Sequence, residues 1–364
     1  MCPLPPTGSE RPPLAAKERR MEFSSARQQA ILDAVDAVQA AHLAMSTSAL
    51  AERLGISEGE VQASRLGRDV WTLPMAPCRL ANHLAELGDV RVVTGSAPVR
   101  LAQTGRYPAV VAGATALDAD RLAMRWQPRR WHWACLVRGE APLAPWRLQL
   151  FDPHGRYVHG CAPRNGVLSA GWRALVAMRS ATPPAFTRLS PLPRRPLPAV
   201  PGLAAAWAMP VDDAARDALL GRYRLERHEA LALLEGHFTH ALPAEALPVW
   251  LAAAADWGVP VTISVATVGC RQAAVGRIAR LRRRGRWLVV TGESCALRLD
   301  MTAVARLWQA SRPALQGGAL TSLEAFDGDG QPLVTIAATQ VRRRTESPAS
   351  RPGPWEAIPR ANVA

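Results

Sequence analysis

Leu148-Gln149-Leu150-Phe151-Asp152-Pro153-His154-Gly155 is written again as Leu323-Glu324-Ala325-Phe326-Asp327-Gly328-Asp329-Gly330, with Leu, Phe, Asp and Gly each displaced by 175 positions. Gly105-Arg106 recurs as Gly276-Arg277 at a displacement of 171, and Trp131 pairs with Trp308 at 177. Displacements this close predict a tandem duplication, which constrains the architecture more than any single motif does. Each copy opens with helical periodicity, Ala30 to Leu87 and Pro210 to Trp257, with apolar residues three and four apart. Strands are predicted next: Val90 to Thr94, Ala109 to Ala112, Trp131 to Val137 and Trp146 to Phe151 in the first copy. In the second they fall at Val261 to Ala266, Trp287 to Thr291, Ala305 to Gln309 and Leu320 to Phe326. Helices grouped ahead of short strands predict an α+β fold of two tandem repeats, each a helical segment followed by an antiparallel sheet.

A chain of 364 residues, 48% apolar, is long enough for two such cores. Thr182 to Gly202 holds seven prolines (183, 184, 191, 193, 196, 198 and 201), which remove ladder donors and favour extended chain. The expected organisation is a loose tail over 1–21, repeats over 22–181 and 203–342, a proline-rich linker over 182–202 and a second tail over 343–364.

The net charge of +14 favours anionic ligands. Lys17 is the single lysine, however, and arginine enrichment of this kind follows GC-rich codons and says little about where a ligand sits. Cys2, Cys78, Cys135, Cys161, Cys270 and Cys295 form no C-x-x-C pair, which excludes a zinc ribbon or disulfide scaffold and fits a reducing cytoplasm. Met1 to Arg20 lacks an export-type apolar run, and the longest apolar stretch, Ala246 to Ala255, is about half a membrane span.

Thr47 to Leu66 has helix-turn-helix form, with Gly55 at the turn and Ser57 to Glu60 as a capping box. Glu58 and Glu60 would face phosphates at the start of a recognition helix, so a packed helical hairpin is expected and nucleic acid is not an expected partner. A DNA-binding regulator using this segment is the alternative from another class. Glycine-rich phosphate loops are absent, and of eight histidines only His237 and His240 are closely spaced, without a carboxylate in register for a metal.

Leu54-Gly55-Ile56-Ser57-Glu58, Thr104-Gly105-Arg106-Tyr107, Leu148 to Gly155, Gly269-Cys270 with Gln272 and Gly276, Gly285-Arg286-Trp287-Leu288 and Thr321-Ser322-Leu323-Glu324 before Phe326-Asp327 carry a resemblance. Together they resemble the haemin transport and degradation family of the HemS type, over most of Met21 to Gln340. The resemblance implies two repeats, one haem held between a helix and a sheet, a cytoplasmic place in bacterial haem uptake and a monomer or homodimer. A haem-uptake ABC transporter or a haem oxygenase is the implied partner.

By the same resemblance Arg227 is the propionate-binding arginine, a fork suited to a carboxylate. Arg125 is the distal arginine, or Arg121 with a shifted alignment, and Arg312 replaces a lysine beside the propionates. The family's axial histidine falls on Ala214, whose methyl ligates no iron. Its following aromatic pair becomes Ala215-Arg216-Asp217, an aromatic-Gly-x-Arg element becomes Ile336 to Gln340, and a Leu-Arg step becomes Leu299-Asp300. Three outcomes stay open: a substituted iron ligand such as His228, His132 or Tyr223; a carrier that grips haem through propionates and packing; or a paralogue that has lost haem. Haem degradation is family chemistry that this chain's own residues do not establish. His228, fourteen residues after Ala214, is expected as a solvent-facing neighbour of Arg227.

Overall fold

The computed structural model describes residues 19–21, 25–41, 45–108, 122–139, 145–188, 197, 199–209, 213–313 and 319–338. The strand expected at Ala109 to Ala112, Arg121, the C-terminal tail and most of the N-terminal one lie outside the described residues. Two compact units form, one from Met1–Ala97, Thr104–Arg195 and Thr267–Cys270, the other from Pro98–Gln103, Pro196–Ala266 and Arg271–Ala364.

Unit 1 carries β1 (Arg19–Met21), α1 (Ser25–Ala41), α2 (Thr47–Leu54), α3 (Glu58–Ser64), β2 (Val70–Thr72), α4 (Pro77–His83) and β3 (Asp89–Ser96). After β4 (Val99–Arg106), which contributes to both units, come β5 (Ala123–Trp126), β6 (Trp133–Arg138), β7 (Trp146–Phe151), β8 (Tyr157–Pro163), α5 (Ala170–Ala177) and β9 (Phe186–Arg188). The antiparallel strands follow the order β2-β6-β7-β8-β3. Alternate side chains face opposite ways along a strand. Leu136, Leu148 and Leu150 therefore meet Leu80 of α4 and Trp172 of α5, while Cys135, Val137 and Phe151 meet Ala63 of α3. Arg19–Met21, in the segment read as a tail, pairs with Phe186–Arg188 inside the proline-rich stretch, where a short window between Pro184 and Pro191 leaves donors for a ladder.

Unit 2 carries α6 (Leu203–Trp207), α7 (Asp213–Tyr223), α8 (Arg227–Leu233), β10 (Thr239–Leu242), α9 (Ala246–Asp256), β11 (Val261–Ala266), β12 (Cys270–Gly276), β13 (Ile278–Arg284), β14 (Trp287–Gly292), β15 (Cys295–Asp300), β16 (Arg306–Pro313), β17 (Ala319–Phe326) and β18 (Pro332–Ala338). Its strand order β10-β16-β17-β18-β11 repeats β2-β6-β7-β8-β3. The ladders repeat as well: Leu148 faces Cys161 as Leu323 faces Ile336, and Val92 faces Cys161 as Ile263 faces Ile336. The 175 and 171 displacements thus mark equivalent positions. The Trp131 and Trp308 pairing does not: Trp308 lies inside β16 opposite Ala241, as Cys135 lies opposite Thr72, whereas Trp131 precedes β6.

The helical halves repeat through geometry that composition hides. α2 ends on Gly55 (φ 63), with the Ile56 amide donating to the Ala51 carbonyl. α7 ends in the same double-bonded turn on Arg224 (φ 55), with Leu225 donating to Leu220 and Arg224 to Gly221. Ser57 and Glu60 then cap α3 reciprocally, and the Glu229 carboxylate accepts the Glu226 amide at the start of α8. β2 and β10 sit within the stretches expected to be helical, because each helix pair hands the chain directly to a sheet edge. Gly59 to Ser64 of α3 are all buried. A helix packed on every side cannot enter a groove of DNA, so the regulatory alternative built on Thr47 to Leu66 is set aside and the helical-hairpin reading holds.

Candidate functional site

The functional candidates of unit 2 gather where α6, α7 and α8 pack on β16 and β17. Gly202 (φ 81) opens α6, and Trp207 at its end is wholly buried, its indole N–H donating to the Ser311 carbonyl at 3.2 Å. Ala214 is the second residue of α7. Two residues on, Arg216 is 1% exposed; its guanidinium lies 4.5 Å from the Trp207 ring centre, and Nη1 donates to the Trp207 carbonyl. Arg227, the first residue of α8, lies 5.0 Å from the same ring.

Arg227 grips Glu324 of β17 with two parallel bonds, Nε to Oε2 at 2.9 Å and Nη2 to Oε1 at 2.6 Å. This is the bidentate geometry of a strong charge-assisted pair. The Ser322 hydroxyl donates to the same carboxylate at 3.0 Å. Burial pushes the Glu324 carboxyl up, but the Arg227 charge and hydrogen bonds with that of Ser322 outweigh it and hold the group below the ordinary carboxylate value. Arg312 of β16 stands opposite Leu320, two positions beyond Ala310 and its partner Ser322. Alternation therefore puts Arg312 on the same face as Glu324, the face that packs on α6 to α8 through Trp308 and Ala310. The structure thus brings Ala214, Arg227 and Arg312 to one side of one sheet, and adds Arg216.

Of the iron-ligand candidates, Tyr223 and His228 belong to the same α6 to α8 layer and His132 belongs to unit 1. The chain turns at Arg224, so His228 sits on the helix after the one that carries Ala214. It is half-buried rather than solvent-facing: its ring rests on Gly330 of the β17–β18 turn, so close that a Cβ there would stand 2.2 Å from Cε1. Nδ1 is buried without a hydrogen-bond partner, and burial lowers the imidazole's proton affinity. Tyr223 packs in the α6 to α8 cluster with its hydroxyl toward Gly202. His132, in unit 1, is exposed, and its Nε2 meets the Ala185 carbonyl. His237 and His240 are split between the turn after α8 and β10. Among the described residues no group of three or more His, Cys, Asp or Glu side chains is placed to hold a metal ion.

Arg125 is half-buried on β5 in unit 1, beside a polar cluster that the sequence did not signal. His159 is wholly buried, with Nδ1 2.7 Å from the Thr94 hydroxyl and Nε2 2.6 Å from the Tyr107 hydroxyl. The Trp126 ring meets the imidazole edge-on at 5.1 Å. Burial drives the His159 pKa down to about 3. Because the unfolded imidazole takes its proton near pH 6.5 and the folded one resists to about 3, the unfolded state binds more protons between those limits and stability falls as pH drops through them. A urea midpoint that declines from pH 7 to pH 5, and declines less in His159→Gln, checks this; an equal decline in both refutes it.

These geometries define a class: a tandem α+β protein in which each copy sets a helix pair over one face of an antiparallel sheet, with guanidiniums collected under the second pair. The model of the haemin-degrading HemS.ChuX domain matches residues 55–178 and again 224–352, and the chain belongs to that family. Both matches begin on the left-handed turn residue, Gly55 and then Arg224. The hemin transport protein HmuS of Yersinia pestis is 26% identical over 305 residues, covering 82% of this chain and 88% of that one, and HemS of Yersinia enterocolitica matches equally. The crystal structure of holo-PhuS, a heme-binding protein from Pseudomonas aeruginosa, superposes with a TM-score of 0.73 at 27% identity, covering 88% of this chain and 94% of that one. The heme degrading enzyme ChuS of Escherichia coli O157:H7 shares the fold, with a TM-score of 0.77 at 19% identity over 91% of this chain and 98% of that one. No helix among the described residues is long and apolar enough to cross a membrane.

Proposed function

We propose that this chain binds haemin as cargo and moves it within the bacterial cytoplasm during haem uptake. The observation that carries the reading is the gathering of Arg216, Arg227 and Arg312 on the α6 to α8 side of β16 and β17, within the second match to the family. Haemin carries two propionates, and planar guanidiniums recognise carboxylates in the manner in which Arg227 already holds Glu324. An incoming propionate would share or displace that carboxylate.

The residues present suit the carboxylate edge of the ligand better than its iron. Position 214 offers no ligand, and the residues of α7 that follow it are Ala215, Arg216 and Asp217. A grip through propionates and packing therefore fits this chain better than ligation through α7. An ABC transporter that supplies haem, or a haem oxygenase that receives it, would be the partner of such a carrier.

Ferric haemin titrated into the protein against excess albumin tests the reading. Saturation at one haemin per chain is the expected result, and weak, non-saturating absorbance changes would refute it. Ala214→His should shift the Soret band toward a histidine-ligated form; an unchanged spectrum on a saturating variant would show that the ligand does not lie against α7.

A further inference from the structure

Ile278 to Trp287 reads Ile-Ala-Arg-Leu-Arg-Arg-Arg-Gly-Arg-Trp, and haem binding gives this run no role. It forms the β13–β14 hairpin, closed by a two-residue loop that Gly285 opens at φ 57, a backbone sign suited to such a turn. Two further strands continue the sheet in the order β13-β14-β15-β4. Its inner face carries Leu288, Val290, Leu297, Leu299, Val99 and Leu101 into the core of unit 2.

The register then fixes the outer face. Arg280, Arg282 and Arg284 stand opposite Thr291, Val289 and Trp287, Val289 faces Arg298, and Arg298 faces Arg100. The first three arginines and Arg298 are exposed. The Arg298 guanidinium carbon sits over the Trp287 ring, 3.7 Å from its centre, with that of Arg286 5.1 Å from the same centre. Within these three strands the carboxylate that shares this face, Asp300, is buried and paired with Arg286 at 2.9 Å, and Glu293, in the turn after β14, accepts the Arg277 amide. Alternate residues of a strand recur about every 6.8 Å, so Arg280, Arg282 and Arg284 form an evenly spaced row of positive charge.

Charged outer strands also prevent edge pairing, which would account for β13 alone. Arg298 and Arg100 lie on inner strands of this sheet and fall outside that explanation. A protein partner needs a buried apolar or aromatic anchor at the centre of its contact. The large hydrophobics exposed among the described residues, such as Val249, Trp257 and Val275, all lie off this face. What such a surface fits is a regularly charged polyanion.

We propose that the outer face of β13, β14 and β15 binds the phosphodiester backbone of nucleic acid, through charge and without reading sequence. The expectation against a nucleic-acid partner rests on Glu58 and Glu60 of α3 and on arginine enrichment that says little about where a ligand sits; the strand register now gathers some of those arginines on one face, and the inference is independent of haemin binding. Fluorescein-labelled oligo(dT) titrated by anisotropy over a salt series tests it on the full chain. Binding should weaken linearly in log salt, and the variant R280Q/R282Q/R284Q should lose about tenfold or more in affinity at low salt and about two units of slope, at about 0.7 per single-strand phosphate contact. Arg298→Gln, on another strand, should lose a smaller part of both. Because Arg280, Arg282 and Arg284 are exposed, the urea midpoint and haemin saturation of the triple variant should not change. Equal affinity and slope in wild type and triple variant would overturn the proposal. So would loss in the triple variant of binding to phosphatidylcholine–phosphatidylglycerol vesicles alone, which would assign the face to a membrane surface.

Discussion

Replacing Arg227 with alanine is expected to cost unit 2 about 3 to 5 kcal/mol, the penalty for stranding one partner of a buried ion pair. Glu324, 2% exposed, keeps only the Ser322 hydroxyl among the donors described above. Denaturant midpoints of Arg227→Ala measure the loss, and a change under 1 kcal/mol would mean that water reaches Glu324. The double variant R227M/E324L should recover most of it, because apolar replacement of a whole buried pair is often neutral. The pair also sets an acid limit. Glu324 ionises more readily in the fold than in the unfolded chain, so its contribution is present above the ordinary carboxylate range and is lost as pH falls below it. A drop in haemin affinity in Arg227→Ala alone would mix stability with contact, whereas weakened binding by a stable R227M/E324L would place the guanidinium against the ligand.

Trp207→Ala is expected to cost about 3 to 5 kcal/mol, the range for deleting a large aromatic from a core. The indole is wholly buried, ties α6 to β16 through Ser311 and lies under two guanidiniums. Haemin affinity should fall with stability, since Arg216 and Arg227 lose the surface that orients them. Trp257→Ala, at a side chain 50% exposed beyond α9, should stay within about 0.5 kcal/mol. Equal costs at the two tryptophans would refute the assignment of Trp207 as the floor of the cluster.

The sheets were legible in the sequence because their apolar alternation and the Leu, Phe, Asp and Gly of the β7 and β17 endings survived in both copies. The first helix pair was legible too, through Gly55 and the Ser57 to Glu60 capping box, but its repeat was not: Gly55, Ser57 and Gly59 became Arg224, Glu226 and His228, so the same turn is written in unrelated chemistry. A left-handed arginine gives no signal, and without that turn His228 reads as four helical turns beyond Ala214 on one helix. β13 was missed because arginines occupy the positions that apolar residues usually mark, and β8 because His159 and Gly160 interrupt its apolar run. Gly160 is required there: a Cβ would stand 2.5 Å from the Tyr157 hydroxyl. Among site residues, Arg125, Arg227 and Arg312 could be placed by resemblance, but Glu324 as the partner of Arg227 depends on a contact 97 positions apart, and Trp207 as the floor depends on the turns between three separate helices, neither of which a local pattern records.

In the first copy Gly59 sits directly against Gly155, its amide donating to the Gly155 carbonyl at 2.8 Å, while in the second the His228 ring fills the corresponding space over Gly330. Helix and turn are thus held backbone to backbone in one half and separated by an aromatic ring in the other. A genetic exchange that copied one half's helix over the other's would bring a ring where there is no room, or leave a hole where a ring belongs. Descended from one unit, the halves have ceased to be spare parts for each other, and each is free to change only in company with its own turn.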